Sequence, residues 1–122
     1  MPITSKIDKE QRLVLTTGSG IVTLQEILDH QKRLRSDPEF DSTFDQLGDF
    51  TPATSLDLTS AEVETVASGT LFAKTSRRAF VANDATMFGV GRMFEAYREM
   101  SGTGEQVKIF YDRDSALKWL LS

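Results

Sequence analysis

The chain has 122 residues, 39% of them hydrophobic and 26% charged, with a net charge of -4 and no cysteine. That size and mixture suit one globular domain, 1–122, and they exclude disulfides, thiolate metal sites and thiol nucleophiles. The acidic balance argues against a nucleic-acid partner, which needs a basic face, and no apolar run is long enough to span a bilayer.

The opening "MPITSKIDKEQ" lacks the apolar centre of a secretory leader, so the sequence predicts a soluble cytoplasmic protein. Ile3 to Asp8 and Arg12 to Thr17 are short β-branched segments split by "KEQ" and predict a hairpin. Residues 23–37, "TLQEILDHQKRLRSD", place Leu24, Ile27, Leu28 and Leu34 on one helical face. Thr23 and Glu26 have capping-box spacing, and Pro38 biases the residue before it away from helix. Residues 44–50 predict a strand.

The following "DFTPATSLDLTSAE" is read as a strand exit running into a helix cap, because Thr59 stands three residues before Glu62. The helix it opens is predicted over Ser60 to Lys74, with Val63, Val66, Ala67 and Leu71 inward. Residues 77–83, "RRAFVAN", predict a strand. Asp84 caps a third helix, and "SGTG" is its exit. A last strand, 106–112, leads into a closing helix with Ala116, Leu117, Leu120 and Leu121 inward. The order β-β-α-β-α-β-α-β-α predicts an α/β fold. Its mixed, mostly parallel sheet has about five strands, with about four helices and an antiparallel edge from the first hairpin.

Chemistry-bearing residues are sparse. His30 is the only histidine and has no cysteine or second histidine to join it in a metal site, so it reads as an ordinary helix residue. Asp37, Asp41, Asp45 and Asp49 recur every four residues, but Pro38 breaks the helix that would align them, and the run lacks a calcium-loop pattern. They read as loop acids. Asp49 is kept as a candidate strand-end acid, with turn stabilisation as its simpler role. Gly89 and Gly91 lie inside a helix rather than at a strand-to-helix turn, so they predict close packing rather than a phosphate cradle. Lys74, Arg77, Arg78, Arg92 and Arg98 read as independent solvated charges, with a basic rim for an anionic headgroup as the alternative. The third helix is rich in large apolar groups. Phe88, Met93, Phe94 and Tyr97, with Arg92, are the candidate interface or ligand residues.

The element order resembles the anti-sigma-factor antagonist fold, the STAS or SpoIIAA-like group. Four segments are similar to a bacterial branch of small SpoIIAA-like proteins of unknown function: "SDPEFDSTFDQLGDF", "LTSAEV", "RRAFVAND" before "FGVGRMFEAY", and "IFYDRDSALKWL". The regulatory members carry a loop reading Asp-Ser-Ser/Thr-Gly at a helix start, where a kinase modifies a Ser. Here Asp57 matches the Asp, Leu58 replaces the first hydroxyl residue, and neither Ser60 nor Ala61 is a Gly. The resemblance thus implies Asp57, Thr59 and Ser60 as a candidate switch. It also implies a non-enzymatic regulatory or protein-interaction module, a homodimer or the partner of another protein, without cofactor, metal or catalytic residues. The alternative is a carrier for a small amphipathic ligand such as a lipid, with an apolar pocket near the third helix.

Overall fold

The computed structural model describes residues 2–69, 71–101 and 105–122. Five strands form the main sheet: β1 (Ile3–Asp8), β2 (Leu13–Gly18), β4 (Asp45–Asp49), β6 (Arg77–Val81) and β7 (Gln106–Phe110). They lie side by side in chain order, β1-β2-β4-β6-β7. β1 and β2 are antiparallel, as the hairpin predicts, and every other pairing is parallel. Among the described residues four helices complete the expected α/β architecture: α1 (Leu24–Ser36), α2 (Ser60–Ala67), α3 (Ala85–Ser101) and α4 (Arg113–Leu120).

Two strands escape the sequence reading. β3 (Gly20–Thr23) and β5 (Ala53–Asp57) pair in parallel as a separate two-stranded sheet. Each has only four or five residues, and neither shows a sustained alternation, so "GIVT" reads as a helix lead-in and "ATSLD" as a loop. α2 is also shorter than the predicted Ser60 to Lys74. It stops at Ala67 because Ser68 turns its hydroxyl back to the Thr65 carbonyl and Gly69 follows, both poor helix continuations. The predicted "SGTG" exit of α3 falls largely outside the described residues.

Helix starts follow the predicted capping chemistry. Thr59 Oγ1 accepts from the Glu62 amide at 3.1 Å, and the Thr59 amide donates to Glu62 Oε1 at 2.9 Å. Thr23 makes the side-chain half of its box, accepting from the Glu26 amide at 3.3 Å. Asp84 Oδ1 accepts from the amides of Thr86 and Met87.

The sheet separates two apolar layers. On one face, Leu13, Leu47, Ala79 and Val81 bury against Ala116 and Leu120 of α4. The other face carries two clusters. Val14 packs with Leu34, Phe44 and Phe72, and Ile3 and Ile109 pack with Val22, Ala53 and Met87. Gly48 and Gly91 permit close approach on this second face. A Cβ on Gly48 would stand 2.5 Å from Cδ1 of Phe80, and one on Gly91 would stand 2.5 Å from Cδ1 of Ile109. Gly89, expected to share that role, faces open space instead. Two outcomes follow for denaturant unfolding. Gly48→Ala lowers stability by about 1–3 kcal/mol through overpacking against the Phe80 ring. Gly89→Ala raises it by roughly 0.5–1 kcal/mol through helix propensity. Equal effects of the two substitutions would contradict this division.

Candidate functional site

The inner face of the central strands carries polar groups where apolar ones are the rule. Register aligns Val14, Gln46 and Arg78 in one row across β2, β4 and β6, and Thr16, Gly48 and Phe80 in the next. Arg78 is on the inner face because Ala79 and Val81 take the outer one. A guanidinium placed there must find partners, since an unpaired buried charge costs far more than a surface one.

It finds them in a hydrogen-bond chain that crosses the sheet. Arg78 Nε donates to Gln46 Oε1 at 2.8 Å, and Gln46 Nε2 donates to Thr16 Oγ1 at 2.9 Å. Thr16 Oγ1 lies 2.8 Å from Ser5 Oγ, which is hydrogen-bonded to His30 Nε2. With Thr16 donating to Ser5 and Ser5 to His30, every bond runs in one direction and each acceptor is used. On the other side, Arg78 Nη1 donates to Glu105 Oε1 at 2.7 Å, and Arg98 Nη2 donates to Glu105 Oε2 at 2.5 Å. Arg98 Nη1 also donates to the carbonyls of Ala67 and Gly69. A cation thus meets the free carbonyls at the end of α2, where the helix dipole favours it.

The burial of these groups sets their ionisation. Arg78 is pulled below the ordinary arginine value by burial, and the Glu105 carboxylate pulls it back up. The His30 imidazole is held down at about 4, first by burial and then by the positive charges of Arg33 and Arg78, so it is neutral at pH 7.

Above this polar row lies an apolar cavity of about 110 Å³. α2 packs mainly on α3 and α1 rather than on the main sheet, so it forms a roof. Phe50, Leu56, Val63, Val66, Met87 and Phe94 supply apolar lining, while Thr16, His30, Gln31, Gln46 and Arg78 supply the polar groups. The guanidinium of Arg78 sits 4.6 Å from the ring centre of Phe72, 5.3 Å from Phe80 and 5.6 Å from Phe94.

The residues singled out from sequence do not converge on one point. Asp57, Thr59 and Ser60 are exposed where β5 leads into α2. On α3, Phe94 turns inward to meet Phe80 edge-on at 5.7 Å and lines the cavity. Phe88 stacks on exposed Tyr111, ring centres 3.8 Å apart. Met93 and Tyr97 are half-buried, and Arg92 is exposed, 3.9 Å from Glu95. Asp49 Oδ1 accepts from the amide and hydroxyl of Thr51 at 2.9 and 2.7 Å, and its carboxylate lies 3.6 Å from Arg113. Asp37 and Asp41 each accept from the amide two residues on, and Asp45 Oδ1 accepts from the Arg77 amide.

The reading of the basic residues as independent solvated charges is corrected for two of them. Arg98 is buried, Arg78 is largely so, and they share Glu105, their side chains 5% and 13% exposed. Arg77 serves the opposite face, donating to the carbonyls of Trp119 and Ser122. Glu105 and Gln46 carried no sequence signal of their own. Among the described residues no group of three or more His, Cys, Asp or Glu is placed to hold a metal ion, and no helix is long and apolar enough to cross a membrane.

No family model matches the chain, and no curated protein matches it. Among solved structures it is similar to an uncharacterized protein of the DUF3478 family with a SpoIIAA-like fold, from Shewanella loihica PV-4. The likeness covers 97% of this chain and 93% of the other, with a TM-score of 0.61 and 20% identity. At that identity the likeness is one of architecture: the chain has a SpoIIAA-like α/β fold with four helices and a five-stranded mixed sheet.

Proposed function

We propose that this chain is a non-enzymatic regulatory or protein-interaction module of the STAS type, acting as a homodimer or with another protein. The observation that supports this reading is the exposed start of α2, where Asp57, Thr59 and Ser60 stand together on a SpoIIAA-like fold. The two hydroxyls have opposite physics. A phosphate on Ser60 would sit at a helix N-terminus, which favours negative charge. A phosphate on Thr59 would break the capping box and face the Glu62 carboxylate, loosening the first turn of α2. Either change alters the surface that a partner would meet, with Arg92, Met93 and Tyr97 of α3 on the neighbouring helix.

Native mass spectrometry of the protein isolated gently from its own cells tests the reading. A homodimer or hetero-complex, with a phosphate-sized increment that maps to residues 59–60 and disappears in Thr59→Ala or Ser60→Ala, is the expected result. A bare, unmodified monomer in every growth phase would overturn it.

A further inference from the structure

We propose that the cavity beneath α2 is a binding site for a short-chain carboxylate. The carboxylate would be held by Arg78, and its hydrocarbon part would be enclosed by Phe50, Leu56, Val63, Val66, Met87 and Phe94. This site stands independently of the interaction reading above.

Three observations carry it. The first is an available donor. Two of the three guanidinium nitrogens of Arg78 are committed, Nε to Gln46 and Nη1 to Glu105, while Nη2 makes no hydrogen bond among the described residues. Nη2 is not sealed from solvent, so it is open to an incoming acceptor. Arg78 also lines the cavity, so that acceptor can come from a ligand. The rings of Phe72, Phe80 and Phe94 flank the guanidinium and fix its plane, which leaves little rearrangement to be made on binding.

The second is the lining. Apolar walls with a few convergent polar groups are the ordinary composition of a small-molecule site, in which the polar groups fix orientation. Gln46 and Thr16 are already engaged in the cross-sheet chain, so Arg78 is the group that would select for charge. A single free guanidinium nitrogen suits a singly charged carboxylate better than a dianionic phosphate, whose second charge would be desolvated without a partner.

The third is size. The volume is about 110 Å³, below the roughly 150 Å³ cavity that admits benzene. It therefore takes a hydrocarbon part of a few carbons. Arg92 is exposed on α3, and Arg98 is engaged by the α2 carbonyls and Glu105, so neither takes the headgroup position.

Isotope-edited NMR titration tests the site with butyrate, hexanoate and decanoate, and with 1-hexanol as the uncharged control. Butyrate or hexanoate is expected to shift the amide signals of Val66, Arg78 and Gly91, and hexanol to bind roughly 10- to 100-fold more weakly. Arg78→Met should abolish binding. Because that change also strips Glu105 of a partner, Val66→Phe is the second variant: it fills the cavity, and binding should vanish while the fold is retained. The proposal is overturned by any of four results: no shifts from any carboxylate, hexanol binding as well as hexanoate, undiminished binding in folded Val66→Phe, or affinity that keeps rising through decanoate. The last would replace the short ligand by a lipid.

Discussion

Replacing Glu105 by Ala lowers the free energy of unfolding by about 3–5 kcal/mol, read as a fall in the urea midpoint. The Glu105 side chain is 1% exposed and accepts from Arg78 and Arg98 at once. Its removal leaves two guanidiniums facing each other in the interior without the carboxylate between them. Arg98 already disfavours the charged form of Arg78, so their repulsion grows when Glu105 goes. Glu105→Gln keeps the shape and some hydrogen bonding, and it should lose less. Arg98 also holds the carbonyls of Ala67 and Gly69, so the Ala variant should speed amide exchange at the end of α2 before the sheet is affected. A loss under about 1 kcal/mol would mean that the bridge behaves like a surface pair and that the burial argument is wrong.

The second large effect depends on pH. His30 has an ordinary value of 6.5 and is held at about 4 in the fold. As pH falls from 6.5, the unfolded chain takes up the proton and the folded chain resists it. Stability from this residue is therefore complete above pH 6.5 and is lost progressively as pH falls toward 4, to a total of about 2–3 kcal/mol. The causes are burial first and then the positive charges of Arg33 and Arg78, and in the one-way hydrogen-bond chain neutral Nε2 accepts from Ser5. A protonated ring would reverse that bond and leave a buried hydroxyl hydrogen without an acceptor. His30→Gln can keep a bond to Ser5 without titrating, so its unfolding free energy should change much less between pH 7 and pH 4.5. Parallel pH profiles for the two proteins would show that carboxylates elsewhere, and not His30, govern acid sensitivity.

Much of the fold was legible from periodicity and caps because those signals are local. β1 and β2 follow from short β-branched runs, and helices follow from the Thr59 and Asp84 caps and the apolar faces of α1 and α4. β3 and β5 were not legible because each is defined by the other. The parallel match of Ile21 with Ser55 and Val22 with Leu56 is a fact of tertiary structure. The cavity and its polar floor were hidden for a related reason. Gln46, Arg78 and Glu105 are 27 to 59 residues apart in the chain, and nothing near any one of them names the others. One signal was present in "RRAFV". A strand with helices on both sides and Ala79 and Val81 on one face must place Arg78 on the other, and both faces of such a strand are covered. A charge there is a buried charge, and it announces either a partner or a ligand.

The strand order has a consequence for synthesis. Because β1, β2, β4, β6 and β7 lie in the sheet in the order in which they occur in the chain, each new strand leaving the ribosome finds its neighbour already made. The sheet can grow from one edge to the other without reopening. α4 is made after all of them, and among the described residues it is the helix that covers the layer formed by Leu13, Leu47, Ala79 and Val81. That layer stays bare until residues 113–120 have emerged, and this is the interval in which the growing chain is most open to aggregation.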